Sequence, residues 1–416
     1  MLKVCVRRET KNQWERRTPL NTDALAELLA KDVPVSVESS PIRIYTDQQY
    51  ADKGASVVAS TKDFHVVIGI KEPKISEIQP GQVHLAFSHT IKGQPYNMPL
   101  LRHFIETGST LIDYETMCDP KGKRVIAFGR FAGLAGAIDT LWLAGKKWAL
   151  KHGTTALSKI KQTSQYESLF DIRAQFKKLA PILDPPIRVA LVGTGNVGHG
   201  AEEILTWLGL PKVEPEIALQ KRKGPFYFVL NTKDIHEHKE GKPFDRNEFR
   251  SFGAARYRSV FDRYLGHFDI LLQTPFWDEK FPRHLSHERM LANKAQLPWM
   301  IGDISCDING SLACTHKAST IDNPVFTYDV DSNSIQDELS WQGPSVMSID
   351  NLPCELSKDA SDHFSGILKA YIPEIARMDL DQPLETNGLS NLMQQAVIVY
   401  RGKLTPRYEY LKSFLG

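Results

Sequence analysis

Short runs rich in valine and isoleucine alternate with helical patterns from the start of the chain. This alternation is typical of a parallel, doubly wound α/β sheet, because each strand returns to the sheet through a helix. The first helix shows its buried face as leucine and alanine at helical spacing. We predict strands at 2–6, 33–37, 66–70, 83–87 and 110–112, with Leu20, Ala24, Leu25, Leu28 and Leu29 on the inner face of that helix.

Ionisable residues directly follow three of these predicted strands. Lys71 and Glu72 follow one strand, His89 follows the next, and Glu115 comes after the third. Ligands of open α/β sheets bind at the carboxyl ends of the strands, so these side chains are candidate site residues. Each of them taken alone is more often a solvated loop charge, and their recurrence at successive strand ends is what suggests a site.

The chain continues into a long helix and then a second set of alternating elements. The helix covers 130–151, a polar stretch at 152–167 is a candidate hinge or domain boundary, and the proline-rich segment 181–186 is a stiff connector. We predict strands at 187–192, 226–230, 268–272, 299–301 and 325–328, and a helix at 197–208.

A glycine-rich motif joins the strand at 187–192 to the following helix. A bare G-x-G-x-x-G is weak evidence, but a buried strand before it and a helix after it make it a specific sign of dinucleotide binding. Gly193 permits the tight turn, Gly195 lets backbone amides approach a pyrophosphate, and Gly198 allows close helix packing. The predicted cofactor loop is Gly193, Thr194, Gly195, Asn196, Val197 and Gly198.

The choice between NAD and NADP stays open. Glu214 and Glu216 lie about twenty residues beyond the glycines, where an acid would bind a ribose 2′-hydroxyl. The basic residues Lys221, Arg222 and Lys223 follow, and they would neutralise a 2′-phosphate. The two signals conflict.

Together these features suggest hydride transfer in a cleft between two domains, one holding the substrate and the other the cofactor. A partly desolvated Lys71 beside other cations could exchange protons with an amine near neutral pH, and His89 titrates there without special tuning. Substrate carboxylates favour planar bidentate partners, for which Arg17 and Arg124 are candidates.

Composition limits the alternatives. The 416 residues include 51 Lys and Arg against 49 Asp and Glu, 42% are hydrophobic, and the net charge is +2. These values are typical of a soluble protein of about two domains, without a nucleic-acid footprint or a membrane patch. The apolar stretch 131–149 is interrupted by Asp139, Lys146 and Lys147, which favours a buried soluble helix over a membrane span.

Cysteine, histidine and the amino terminus add three further expectations. Five scattered cysteines without a C-x-x-C pair argue against a disulfide framework and a zinc site. The pairs His236 with His238 and His284 with His287 lack a third ligand at metal spacing, so we interpret them as loop histidines and predict no metal. The first residues contain no apolar signal region, which favours a cytoplasmic location.

Eight sequence segments resemble the alanine dehydrogenase and saccharopine dehydrogenase superfamily, most of all its lysine–2-oxoglutarate reductases. The similar segments occur in the same order over nearly the whole chain. They are RRETKNQWERRTPL, VIGIKEP, FSHTIKGQ, LIDYE, AFGRFAGLAG, GTGNVGHGA, GDISCDINGS and MSIDNLPCELSKDAS.

The resemblance implies two Rossmann-like doubly wound domains separated by a cleft, the first of them discontinuous. The substrate domain would cover 1–140 and 348–416, and the dinucleotide domain 141–347. Lys71 and His89 would be the acid/base residues. Substrate contacts or tuning would come from Arg17, Glu72, Lys92, Glu115 and Arg124, and Asp307 and Asn351 would lie near the nicotinamide.

The resemblance also implies an oxidoreductase acting on CH–NH donors. In the family reaction the lysine ε-amine condenses with 2-oxoglutarate, and the imine is reduced to saccharopine with NADPH, with NAD(H) as the alternative. The partners would be these small molecules, with a homo-oligomer left open, and a chain ending at residue 416 would be a stand-alone reductase. The alternatives are another amino or opine acid dehydrogenase on this scaffold and a non-catalytic dinucleotide-binding regulator.

Overall fold

A computed structural model describes residues 1–220 and 223–416. The structure divides into two compact units, one formed by Met1–Ala127 with Ser357–Gly416 and the other by Phe128–Leu356. The boundaries predicted from the sequence lie after residues 140 and 347. The difference arises because one continuous helix, Gly129–His152, belongs to the second unit as a whole, as does the segment leading to Leu356.

Strands and helices alternate along most of the chain. The strands are β1 Val4–Val6, β2 Val35–Glu38, β3 Ser56–Val58, β4 Val66–Ile68, β5 Val83–Ala86, β6 Thr110–Asp113, β7 Arg188–Val192, β8 Phe226–Leu230, β9 His236–His238, β10 Tyr257–Ser259, β11 Ile270–Gln273, β12 Met300–Asp303, β13 Val325–Asp329, β14 Ser334–Gln336, β15 Ser345–Met347, β16 Val397–Tyr400 and β17 Lys403–Leu404. The helices are α1 Thr22–Leu29, α2 Asp47–Asp52, α3 Met98–Glu106, α4 Gly129–His152, α5 Leu169–Leu179, α6 Asn196–Trp207, α7 Pro215–Gln220, α8 Thr232–Ile235, α9 Arg246–Phe252, α10 His287–Ala292, α11 Ser357–Leu368, α12 Ile372–Arg377 and α13 Asn391–Ala396.

The first unit is built on a sheet of order β17-β16-β6-β5-β4-β1-β2-β3. The strands from β6 to β3 are parallel, and β16 joins β6 in the antiparallel direction. Strands β1, β4, β5 and β6 are buried along their whole length, as expected for parallel strands covered on both faces. The carboxyl ends of four adjacent parallel strands therefore meet at one edge of the sheet.

The second unit has a sheet of order β14-β13-β15-β12-β11-β7-β8. Its strands from β15 to β8 are parallel, while β13 is antiparallel to both of its neighbours. Helix α4 packs on α6 so closely that a Cβ at Gly133 would overlap the carbonyl oxygen of Val197. The small residues at the start of the long helix are needed for this contact.

The polar stretch 152–167 is part of the second unit and is not a domain boundary. It forms two short 3-10 turns, Leu157–Lys159 and Thr163–Gln165, and Gln162 donates a hydrogen bond to the Ile321 carbonyl oxygen at 2.7 Å. Thr163 donates to Asp139 of α4 at 2.8 Å. Among the described residues, no helix is both long enough and apolar enough to cross a membrane.

Candidate functional site

Lys71, Glu72, His89 and Glu115 all lie at the carboxyl edge of the first sheet. Lys71 and Glu72 follow β4, His89 follows β5, and Glu115 follows β6, three strands that are neighbours in the sheet. Nδ1 of His89 lies 3.4 Å from a carboxylate oxygen of Glu72. The ionisable residues predicted at strand ends thus lie along one edge of the sheet, where Glu72 and His89 are neighbours.

The backbone of Lys71 is held by a buried ion pair that follows β1. Arg7 contacts Glu9 at 3.0 Å, and its guanidinium also donates to the carbonyl oxygen of Lys71. Glu9 accepts from the backbone amides of Ile70, at 2.6 Å, and Lys71, at 3.2 Å. A Cβ at Gly69 would overlap Arg7, so this strand end is built around the guanidinium.

Glu72 is ionised at neutral pH. Burial alone would raise its pKa, but the neighbouring His89 ring and the hydrogen bond from Lys11 outweigh burial and lower the pKa to about 2. Lys11 contacts the carboxylate oxygen that His89 does not. Glu72 therefore presents a fixed negative charge to the ring of His89.

His89 has an unusual backbone conformation, with φ at +55°. A non-glycine residue in this left-handed region costs about 1–3 kcal/mol and persists only where its surroundings hold it. Asn97 donates its side-chain amide to the His89 carbonyl oxygen at 2.9 Å, and the His89 ring stacks on Phe87 with a centroid distance of 6.5 Å. The strain coincides with the predicted acid/base residue.

Glu115 and Arg124 form a contact of 2.5 Å, with nearly half of the Arg124 side chain exposed. The backbone amide of Glu115 donates to Asp113 at 2.7 Å, and Asp113 also accepts from the hydroxyl and the backbone amide of Ser88. Burial raises the pKa of Asp113 to about 6, although the bonds from Ser88 lower it. The two predicted substrate residues are thus tied to each other and to the strand ends.

Arg17 and Lys92 differ in their surroundings. Arg17 is buried and bound in a bidentate manner by Glu15, at 2.7 and 2.6 Å. Lys92 is exposed in the loop that carries His89. Sequence reasoning missed the roles of Arg7, Glu9, Lys11 and Glu15, although their density directly after β1 was a visible signal.

The glycine loop of the second unit fits a dinucleotide pyrophosphate. Gly193 has φ at +104°, a conformation that favours glycine, and a Cβ at Gly198 would overlap the carbonyl oxygen of Gly193. At Gly195 the position of a Cβ has no atom of the described residues within 4 Å. The described chain offers no side-chain cap for α6, which begins at Asn196, so its amino terminus presents backbone N–H groups to an anion. Thr194 and Asn196 are exposed on this loop, and Val197 is half-buried.

The residue that follows β8, the strand beside the glycine loop, is Asn231 rather than an acid. Strand β8 lies beside β7, and its last residue, Leu230, accepts a hydrogen bond from the Gly193 amide at 2.9 Å. Asn231 follows directly, and its side chain accepts from the Lys233 amide at 3.0 Å. Glu214 and Glu216 do not lie at this strand end, because α7 is inserted before β8 and they lie at its start. Lys221 and Arg222 lie outside the described residues.

Asp307 and Asn351 follow the carboxyl ends of two neighbouring parallel strands, β12 and β15. Asp307 accepts a hydrogen bond from the Trp277 amide at 3.2 Å. Cys306 has φ at +55°, and its thiol donates to the Ser348 carbonyl oxygen at 3.1 Å, which joins the two loops. The glycine loop, Asp307 and Asn351 therefore share one sheet edge.

The histidine pairs differ from the sequence expectation in one respect. His236 and His238 form the buried strand β9 instead of a loop, and His284 is buried beside His236 with ring centroids 5.4 Å apart. Burial lowers the pKa of His284 to about 3 and that of His236 to about 4, so both are neutral. Across the described residues, no group of three or more His, Cys, Asp or Glu could hold a metal ion.

Comparisons with known proteins agree on one family. The family model described as "Alanine dehydrogenase/PNT, N-terminal domain" matches residues 5–135. An alpha-aminoadipic semialdehyde synthase of Arabidopsis thaliana is 32% identical over 97% of this chain, and a mitochondrial one of Mus musculus is 30% identical over 99%. The chain covers only 40% and 47% of those two proteins. A saccharopine dehydrogenase (NAD(+), L-lysine-forming) of Neurospora crassa is 27% identical over 86% of this chain and 87% of its own length.

Solved structures show the same fold. An L-alanine dehydrogenase superimposes over all of both chains with a TM-score of 0.66 and 17% identity. A transhydrogenase from Sinorhizobium meliloti covers 97% of this chain with a TM-score of 0.57 and 15% identity. The mixed α/β architecture with two parallel-dominated sheets, predicted from the sequence, is confirmed.

Proposed function

We propose that this chain, a member of the alanine dehydrogenase and saccharopine dehydrogenase superfamily, is a lysine–2-oxoglutarate reductase, that is, a lysine-forming saccharopine dehydrogenase. The observation that carries the proposal is the cluster of Lys71, Glu72 and His89 at one sheet edge, in a chain of which 97% aligns at 32% identity with an alpha-aminoadipic semialdehyde synthase. The cluster contains the proton-transfer groups that joining an amine to a ketone requires.

Imine formation needs proton transfers at two atoms. The lysine ε-ammonium must lose a proton to attack the ketone carbon, and the carbinolamine oxygen must gain one to leave as water. Nδ1 of His89 faces the Glu72 carboxylate at 3.4 Å, and Nε2 is therefore our candidate for the atom that exchanges protons. Lys71, with its backbone fixed by Arg7 and Glu9, is the second proton carrier.

Two acid-bearing substrates require cationic partners. Arg124 and Lys92 are exposed, and Arg124 is oriented by Glu115. We propose that both bind substrate carboxylates, Arg124 by a bidentate contact. Arg17 remains a candidate for the same role, with Glu15 fixing its guanidinium.

The cofactor is a nicotinamide dinucleotide, which when bound supplies or accepts the hydride. The glycine loop and the amino end of α6 would hold its pyrophosphate, and Asp307 and Asn351 would lie near its nicotinamide. We propose NADP over NAD, because the residue that follows β8 is the neutral Asn231 and Lys233 is exposed two residues further along. The carboxylate of Asp234, beside Asn231, accepts from the Asn231 amide at 2.8 Å and is engaged in capping α8. The exposed Lys233 is the candidate partner for the 2′-phosphate. The expectation that Lys223 would serve is wrong, because Lys223 precedes the amino end of β8 and lies with Arg188 and Trp299 at the sheet edge opposite the glycine loop.

A spectrophotometric panel tests the proposal. NADPH or NADH is mixed with 2-oxoglutarate and one of a set of amines, and oxidation of the cofactor is followed. We expect lysine to give oxidation well above ammonia with pyruvate, the pair that an alanine dehydrogenase would use. Equal rates with lysine and with the controls would contradict the assignment. Activity with a different amine would indicate another amino or opine acid dehydrogenase, and cofactor binding without any turnover would indicate a regulator.

A further inference from the structure

A 3-10 segment near the end of the chain, Pro406–Phe414, packs on the loop that carries His89. The hydroxyl of Tyr410 donates to the carbonyl oxygen of Ile91 at 2.6 Å. The ring of Phe414 covers Gly93, where a Cβ would lie 2.5 Å from Cγ of the ring. Both contacts fall within four residues of His89, and all of these residues belong to the first unit.

The loop needs such support because its backbone is strained. His89 has φ at +55° and Gly93 has φ at +63°, both in the left-handed region. On one side the loop is held by Asn97, which donates to the His89 carbonyl oxygen at 2.9 Å, and by a hydroxyl pair of Ser88 and Thr90 at 2.8 Å. Beyond Thr90, Tyr410 and Phe414 hold the loop through Ile91 and Gly93.

We infer that Tyr410 and Phe414 are positioning residues that hold Nδ1 of His89 against Glu72. Neither side chain is among the predicted site residues, and each acts through the loop rather than on the substrate. The kinetic test of this inference rests on the proposed function, because it measures kcat for the reductase reaction. The contact with Phe414 requires glycine at position 93 of the loop, since only a residue without a Cβ leaves room for the ring of Phe414.

The physical basis is the narrow tolerance of proton transfer for donor and acceptor geometry. A misplacement of about 1 Å can cost about a hundredfold in rate. Tyr410 is 51% exposed and Phe414 is 48% exposed. Changing them leaves the buried core of the first unit intact, and the effect on activity should therefore exceed the effect on stability.

The test is a double-mutant cycle with a matched control. Tyr410→Phe removes only the hydroxyl that bonds Ile91, whereas Tyr408→Phe removes a hydroxyl of the same segment that bonds the Gln395 carbonyl oxygen at 2.7 Å. We expect Tyr410→Phe and Phe414→Ala to lower kcat by about 5- to 20-fold, with the KM for NADPH unchanged and with Tyr408→Phe within about 2-fold of wild type.

The His89→Gln background separates positioning from general destabilisation. If Tyr410 acts through His89, Tyr410→Phe should lower the residual kcat of His89→Gln by less than about 1.5-fold. The same fold-loss in both backgrounds would overturn the inference, as would equal losses in Tyr410→Phe and Tyr408→Phe.

A second readout does not depend on turnover. In protein labelled at the histidine ring carbons, the NMR signal of His89 is assigned by its loss in His89→Gln. We expect this signal to move in Tyr410→Phe and Phe414→Ala and to stay in place in Tyr408→Phe. An unmoved signal in the first two variants overturns the inference. If wild type shows no lysine-dependent activity, the proposed function fails while this readout still decides the positioning of His89.

Discussion

At the scale of single residues, the proposed chemistry depends on Lys71 and His89, which follow neighbouring strands of the first sheet. We expect Lys71→Met and His89→Gln each to lower turnover by about 10²- to 10⁴-fold, because each removes a proton-transfer group. The dissociation constant for NADPH should stay within about 2-fold of wild type, since the glycine loop belongs to the other unit.

Steady-state kinetics and a fluorescence titration with NADPH check this prediction. Lys74→Met is the matched control, since Lys74 is an exposed lysine three residues further along the chain. Turnover that survives in either site variant would remove that residue from the mechanism.

The cofactor choice is also a residue-scale property. Asn231→Asp keeps the side-chain oxygen that accepts from the Lys233 amide but adds a negative charge at the proposed ribose position. We expect the dissociation constant for NADPH to rise about 10-fold or more, and that for NADH to stay the same or fall, because a carboxylate repels the 2′-phosphate and binds the free 2′-hydroxyl. Isothermal titration with both cofactors measures the ratio, and an unchanged ratio would place cofactor recognition elsewhere.

Part of the site could be predicted from the sequence because strand ends can be located from hydrophobic runs. Lys71, Glu72, His89 and Glu115 were found in this way. Glu9 and Lys11, which contact the Lys71 amide and Glu72, were not predicted. Charged residues in a loop give the same sequence pattern whether they face solvent or form ion pairs with distant residues. Asn231 was not among the predicted residues. The prediction counted about twenty residues from the glycine loop, and because α7 lies between α6 and β8, that count ends before β8 begins.

At the scale of elements, the buried parallel strands other than β15 and the two long helices α4 and α6 were predicted close to their observed bounds. Their signals are strong because continuous apolar runs and helical periodicity extend over many residues. The antiparallel pairing of β13 with β15 and the pair β9 and β10 were not predicted, because pairing direction and buried histidines leave no periodic signal.

A buried carboxyl pair links three elements of the second unit. Asp139 of α4 accepts from Thr163 at 2.8 Å, and Glu355 accepts from the Ser164 amide at 3.2 Å. Burial raises the pKa of both groups, and the neighbouring Asp139 raises that of Glu355 further. The pair therefore retains a proton in the folded state that the unfolded chain releases at lower pH.

Stability should consequently fall as the pH rises through the folded-state pKa of the pair, because the unfolded state then binds fewer protons than the folded state. Asp139→Asn preserves the side-chain oxygen that accepts from Thr163, but it replaces one of the two titratable carboxyl groups of the pair with a neutral amide. We expect its Tm, measured over the pH range in which the wild type stays folded, to fall less with rising pH than the Tm of wild type. Thermal melts across that range measure the difference, with the exposed Glu167→Gln as control. Parallel Tm curves for wild type and Asp139→Asn would show that the pair does not titrate in this range.

At the scale of the whole molecule, the first unit is assembled from two separated segments and the second from one. The later segment supplies β16 to the first sheet, Ser361 as an acceptor for the Thr18 amide at 3.0 Å, and Phe364 beside Tyr114 with ring centroids 5.0 Å apart. Hydrophobic patterns do not show which sheet a late segment joins; the family resemblance supplied that expectation.

A fragment of residues 128–356 should therefore fold alone, and a fragment of residues 1–127 should not. We expect the first to melt cooperatively and to bind NADPH within about 5-fold of the full chain, because its core and glycine loop are complete. Circular dichroism and titration measure both properties. Co-expression of 1–127 with 357–416 is the control that should restore a folded first unit, and cooperative melting of 1–127 alone would contradict the expectation.

The identity of the reaction is tested most directly by its product. The protein is incubated with NADPH, 2-oxoglutarate and lysine carrying ¹⁵N at the ε position, and the mixture is analysed by mass spectrometry. We expect saccharopine that retains the ¹⁵N label, formed in a one-to-one ratio with oxidised cofactor. NADPH oxidation without labelled saccharopine, or the same oxidation when lysine is left out, would contradict the proposed function.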